Sequence, residues 1–480
     1  MTALLDISIA DAGRLFRARK LSPVELVKSK LDQIQAVDPH YNAFLEVTAD
    51  IALNEARQAE SDILAGRIRG PMHGIPFGVK DIIDVAGLKT TAQSRIFVDN
   101  VAARDASVVQ RLRAAGAVLI GKLALDEFAA GGPVFDQPRP PARNPWNRNL
   151  HVGGSSSGSA VAVKTGMVPA AIGTDTGGSI RNPSTCVGIV GLKPTYGVVG
   201  RSGVFPVSFS MDHVGPMTRT VEDNAILFEA IVGKDAADPT SVAHPNHDCL
   251  GGLRRSLTGL RIGVLEHFYT EDSEGRPEMR AAIDVAIGIL RDLGASVTPA
   301  RLSPLQKWFD CGQTILECES YAIHENWLRE RPGDYSSLAR AKLSRGAFAS
   351  AAQYIKALQA RSILCAEFAA LMRGFDALIT LSGFELPCPF DSPDLPRVFE
   401  RQARMPFNVT GTPAIAVPTG FTGDGLPLAM QIAGPAFGEA IVYNVAWAFC
   451  EATGWTNRFP PDVKALLSAA VRPGNPSALG

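Results

Sequence analysis

Two short apolar runs flanking a helical stretch constrain this chain more than any other feature of its 480 residues. Ile75-Pro76-Phe77-Gly78-Val79 is apolar and β-rich, and it ends in Lys80-Asp81. Ala117-Val118-Leu119-Ile120 reads as a second, buried strand. Between them Asp105 is placed to cap a helix that continues to Ala115 and stops at Gly116. Steps of this kind imply a largely parallel sheet covered by helices on both faces. The expected fold class is therefore α/β: a single large domain over residues 1–480 with a central mixed, mostly parallel β-sheet. That exceeds the size at which one core usually stops growing, about 250–300 residues. No repeat, low-complexity tail or obvious linker divides it.

Around this step the chain falls into segments. Residues 1–66 are helical in pattern: Ser22-Pro23-Val24-Glu25 combines a capping serine, a first-turn proline and a glutamate that can return the cap. Leu26, Val27, Leu31 and Ile34 then supply an apolar face at helical spacing. A second helix is expected over 51–64, ending near Gly66. Residues 74–220 form the expected catalytic core. Within it, 131–158 is loop-like, stiffened by Pro133, Pro138, Pro140, Pro141 and Pro145. Residues 235–252 are polar and read as a surface excursion. Residues 305–375 are helical again, with a second capping box at Ser350 and Gln353. Tyr354, Leu358, Cys365, Phe368 and Met372 share one face there. Strands are expected at 377–381, 414–417 and 428–432.

Composition excludes several function classes. Lys plus Arg (47) nearly balances Asp plus Glu (48), so no global charge advertises a polyanion or an acidic membrane. Seven scattered cysteines include no C-x-x-C pair, which speaks against zinc ribbons and disulfide frameworks. The N-terminal residues carry acids early and bases late, the reverse of a secretory signal. No apolar window reaches the roughly 18 residues a membrane span needs. A cytoplasmic protein is expected.

The densest chemistry lies in Gly153-Gly154-Ser155-Ser156-Ser157-Gly158-Ser159 and in residues 173–181, which contain Thr176-Gly177-Gly178-Ser179. Glycines leave amide N–H groups uncovered. An acyl-transfer enzyme needs bare amides beside a serine nucleophile. A flexible linker is the ordinary reading of such a run, but Ala160-Val161-Ala162-Val163 follows at once. A phosphate loop at 116–122 lacks its Ser/Thr, since Leu123 stands there. A nucleophile elbow centred on Ser156 would require a preceding strand and a downstream histidine, with His213, His244, His247, His267 and His324 to choose from. The remaining reading uses lysine as base. Burial of Lys80 would lower its pKa, and a fall from about 10.4 to near 7 amounts to roughly 4–5 kcal/mol. A plain strand-end lysine, snorkelling or paired with Asp81 or Asp84, remains the competing reading.

Taken together, residues 74–81, 153–158 and 173–181 resemble the lysine motif and the two serine motifs of the amidase signature enzymes. Residues 191–197, 212–217 and 408–418, with Gly425-Leu426-Pro427 and Gln431-Ile432, continue the likeness. It covers most of the chain and is weakest over 235–405. The resemblance implies that family's fold and a cis peptide bond at Gly154–Ser155. It implies Ser179 as nucleophile, Ser155 as bridging serine and Lys80 as terminal base. The amides of Thr176, Gly177, Gly178 and Ser179 would bind the oxyanion, with Asp175 and Arg181 bracing the loop. The implied activity is hydrolysis of a small carboxylic amide, without cofactor or metal. The alternatives are a glutamine-hydrolysing A subunit of an aminoacyl-tRNA amidotransferase, or an esterase or acyltransferase using the same site.

The amidotransferase's A subunit carries an aspartate ten residues before the glycine matching Gly411. Here the count lands on Arg401, a cation unsuited to holding an amine. A free-standing amidase is thus the expected form: a small-molecule amide and water as partners, no nucleic acid, no membrane, and a homodimer as an allowed assembly. Phe135, Tyr321, Ser382, Phe384 and Arg401 are the candidate pocket residues, with Arg401 a candidate contact for a substrate carboxylate.

Overall fold

The expected strand–helix–strand step lies inside an eleven-stranded sheet. The computed structural model describes residues 4–245 and 248–470. Its strands are β1 (Phe44–Val47), β2 (Pro76–Lys80), β3 (Val118–Leu123), β4 (Ala170–Asp175), β5 (Val190–Lys193), β6 (His213–Thr218), β7 (Arg261–Val264), β8 (Ser296–Pro299), β9 (Ala377–Leu381), β10 (Ala414–Phe421) and β11 (Pro427–Ala433). Their order across the sheet is β1-β3-β2-β4-β6-β5-β10-β11-β9-β7-β8.

The domain is α/β with a mixed sheet flanked by helices, but parallel pairing does not dominate. β2 pairs in parallel with β3 and β4, and β7 with β8 and β9. The other six neighbouring pairs, β1–β3, β4–β6, β5–β6, β5–β10, β10–β11 and β9–β11, are antiparallel. The expected αβ step is thus correct locally. Elsewhere short connections such as Thr422 to Leu426 return the chain antiparallel, which a crossover cannot do.

β2, β3, β4, β5, β6, β9 and β11 are buried along their whole length, as expected of strands covered on both faces. The capping boxes at Ser22/Glu25 and Ser350/Gln353 are both formed, starting helices Pro23–Val37 and Ala351–Met372. Other local expectations need correction. Asp105 does not cap helix Ser107–Ala114; its carboxylate receives the Ala86 N–H and the Arg113 guanidinium. The segment 1–66 is not wholly helical, because β1 interrupts it and pairs with β3 at the sheet edge. The polar stretch expected to be a surface excursion is tied down where it begins: Asp235 accepts from Ser202, and Asp238 from Arg201.

The topology puts chemistry at one edge. β2 and β4 are parallel neighbours, so Lys80, Thr174 and Asp175 all emerge at their carboxyl ends, where open α/β sheets place ligands.

Candidate active site

Lys80 ends β2 and is fully buried. Its Nζ donates to Ser155 Oγ at 2.7 Å and to Thr174 Oγ1 at 2.8 Å. Burial pushes its pKa down to about 7, against the opposing pull of Asp126, Asp175 and Asp212. It pairs with neither Asp81 nor Asp84. Asp81 is taken by Lys122 at 2.7 Å, both side chains buried.

The two serine loops are pinned to one another. The Gly154–Ser155 peptide is cis, and Ser156 N–H donates to Ser179 O at 3.2 Å. Gly154 has no room for a side chain, since a Cβ would strike the Asp126 carboxylate. Ser155 is buried against Lys80, whereas Ser179 is half-buried and lines a cleft of about 250 Å³. Ser156 is fully buried; its Oγ donates to Thr174 O and accepts from Thr174 N–H, both at 3.2 Å. No strand precedes it, so the nucleophile-elbow reading fails on both counts. Nor do the histidines support it. His213 faces the carbonyls of Asp175 and Met211, His324 the Tyr335 hydroxyl, and His244 the Glu439 carboxylate. His247 lies outside the described residues.

The loop after β4 is held by one buried ion pair. Arg181 Nε and Nη2 both meet the Asp175 carboxylate at 3.0 Å. Arg181 also donates to Asn408 Oδ1 at 2.5 Å and to Gln431 Oε1 at 3.0 Å, which gathers the C-terminal motif residues onto the serine loop. Burial alone would raise the Asp175 pKa, but the Arg181 charge holds it well below the carboxylate range. Asp175 and Arg181 thus tie the loop to the end of β4 and to β11.

The amides are less uniform than expected. Gly178 N–H donates to Asp175 Oδ1 at 2.8 Å, so it is aimed away from an oxyanion. The N–H groups of Thr176, Gly177 and Ser179 make no hydrogen bond among the described residues, and these residues line the cleft. Thr176 Oγ1 donates to Asp212 at 2.5 Å, which orients that end of the loop.

The pocket candidates fare worse. Phe135 is exposed and packs edge-on against Phe390 rather than lining the cleft. Tyr321 points elsewhere; helix Leu305–Glu330 instead presents Phe309, Gln313, Leu316, Glu317 and Ser320, a stripe one position off. Ser382 and Phe384 are fully buried. Arg401 pairs with Glu385 and donates to Glu274 O, and it does not line the cleft. Further residues at the site stand outside the sequence-based candidates, among them Thr174 against Lys80, and Lys342 and Arg404 on the cleft wall. The aligned β2 and β4 ends are a signal for Thr174; nothing local to the sequence marks the others. Among the described residues no cluster of three or more His, Cys, Asp or Glu is placed to hold a metal, and no helix is long and apolar enough to cross a membrane.

The chain is similar to known proteins over most of its length. The profile of the family described as Amidase matches residues 25–442. The A subunit of a glutamyl-tRNA(Gln) amidotransferase from Roseiflexus sp. (strain RS-1) is 36% identical, covering 96% of this chain and 99% of the relative. Among solved structures, native peptide amidase from Stenotrophomonas maltophilia superimposes with a TM-score of 0.82 at 31% identity, covering 95% of this chain and 98% of that one. The A subunit of the glutamyl-tRNA(Gln) amidotransferase of Thermotoga maritima gives 0.79 at 31%, covering 95% and 97%. These findings overturn the expected partner set. Full-length relatives are named as one subunit of an amidotransferase of glutamyl-tRNA(Gln), which conflicts with a small-molecule-only chain that has no connection to nucleic acid.

Proposed function

The chain belongs to the amidase family, and from that membership we propose that it opens carbon–nitrogen amide bonds through an acyl-enzyme on Ser179. The observation that carries this reading is the contact of Lys80 Nζ with Ser155 Oγ at 2.7 Å, in a setting that pushes the lysine down to about 7. Neutral Lys80 accepts the Ser155 proton, Ser155 accepts that of Ser179, and Ser179 attacks the carbonyl. The amides of Thr176, Gly177 and Ser179 supply the donors for the developing oxyanion. Run in reverse, the relay protonates the departing amine, and water then releases the acid. Cytoplasmic location belongs to the same reading.

A second reading sets this chemistry in a glutamine-hydrolysing A subunit of an aminoacyl-tRNA amidotransferase, and the near full-length likeness to such subunits favours it. Arg401 is no obstacle to it, because the residue faces Glu385 and lies off the cleft. Both readings predict that the chain, alone or joined by partner subunits, releases ammonia or amine from at least one of glutamine, a peptide C-terminal amide or an aryl amide, and that Ser179→Ala does not. Equal release by Ser179→Ala would end the shared chemistry. Glutamine turnover that needs partner subunits would select the second reading.

A further inference from the structure

We propose that Arg404 is a carboxylate receptor of the cleft, so that the amide opened here carries a carboxylate on its acyl portion. The proposal rests on the amide-opening reading of the same site. Arg404 is 2% exposed, yet it lines the cleft beside Gly178, one residue from Ser179. Its side chain is under-partnered for a buried cation. Nη1 donates to Ser382 O at 3.0 Å, and Nε is buried with no partner. Among the described residues no carboxylate lies within salt-bridge distance of it, whereas Arg401 is matched by Glu385 and Arg345 by Glu317. Asp175 cannot serve, because its oxygens are taken by Arg181, Asn408 and Gly178 N–H. Burial and the nearby Arg181 charge push the Arg404 pKa down to about 10, so the guanidinium stays charged at neutral pH.

A buried charge persists when it is paired, and one left unpaired inside a ligand cleft asks for its counter-ion from the ligand. The fold has also cleared space for this group. A Cβ at Gly178 would collide with Nε, and one at Gly383 would come within 2.9 Å of Nη1. Both glycines therefore serve the guanidinium as well as their own turns. A planar fork of donors suits a carboxylate, which accepts two parallel bonds from it.

The test uses the p-nitroanilide of glutaric acid (one free carboxylate) against the uncharged pentanoyl p-nitroanilide. Wild type is expected to prefer the acid by at least about 30-fold in kcat/KM. Arg404→Gln should lose that preference through KM, the acid falling at least about tenfold further than the neutral anilide, and Arg404→Lys should recover part of it. Binding to the turnover-dead Ser179→Ala chain, measured by calorimetry, should follow the same order. A wild type that treats both anilides alike, a preference that survives Arg404→Gln, or Ser179→Ala binding that ignores the carboxylate would each overturn the proposal. Failure of the amide-opening reading is read separately, as catalysis independent of Ser179, and leaves the binding measurement decisive for Arg404.

Discussion

Lys80 and Lys164 are both fully buried, and burial pushes both down to about 7, but the two regions around them differ in kind. Lys164, at the end of helix Ser157–Lys164, donates to Gly188 O at 2.9 Å and lies over the Trp146 ring at 5.1 Å. A carbonyl can only accept, so whatever proton sits between them must belong to the lysine. Lys80 meets two hydroxyls, which can accept or donate as required. Only Lys80 can therefore pass a proton onward. Lys30, also lowered to about 7, repeats the Lys164 pattern against the carbonyls of Leu4, Leu5 and Gly166. A depressed pKa marks burial; what the amine touches decides whether it is a base.

The sharpest way to break this comparison is to remove each amine in turn. Lys80→Ala should lower kcat/KM on a working amide by at least about 10³-fold, roughly 4 kcal/mol of transition-state stabilisation. pH should separate the pair next. A base at about 7 makes kcat/KM fall as pH drops below 7 and level off above it. That profile should survive Lys164→Met unchanged. Stability responds in the same sense for both lysines. Between about 7 and 10.5 the unfolded chain holds the proton and the folded chain does not, so stability rises with pH across that window, by at most about 1.4 kcal/mol per unit per lysine. Lys164→Met should flatten part of that slope in urea titrations. The smallest effect is the loss of the Lys164 hydrogen bond, which leaves Gly188 O unpaired at a cost of about 1–3 kcal/mol, with kcat/KM within about threefold of wild type. Equal catalytic loss in both variants would erase the distinction.

The sequence carries the local grammar of the fold well and its long-range geometry poorly. Ser22/Glu25 and Ser350/Gln353 are legible because a capping box is written in four consecutive residues. β7 and β8 are not, since four-residue strands such as Arg261–Val264 leave almost no periodic signal. Antiparallel pairing is hidden because it depends on which distant strands become neighbours, as with β4 and β6. The same divide runs through the site. Lys80, Ser155 and Ser179 sit in glycine-rich motifs that resemblance can number, and the fold gathers these motifs at the ends of β2 and β4. The cleft wall is assembled from helix faces and loops more than a hundred residues apart. Tyr321 sits one position off the stripe that faces the cleft, and Arg404 reads in sequence as one more solvated arginine although it is buried.

The central claim is that Ser179 is the nucleophile and that Lys80, through Ser155, activates it. Intact-mass labelling with a fluorophosphonate tests it most directly, in wild type, Ser179→Ala, Ser156→Ala and Lys80→Ala, each checked for folding. The account predicts one label in wild type and Ser156→Ala, none in Ser179→Ala and strongly slowed labelling in Lys80→Ala. A label that persists in Ser179→Ala and disappears in Ser156→Ala would contradict it.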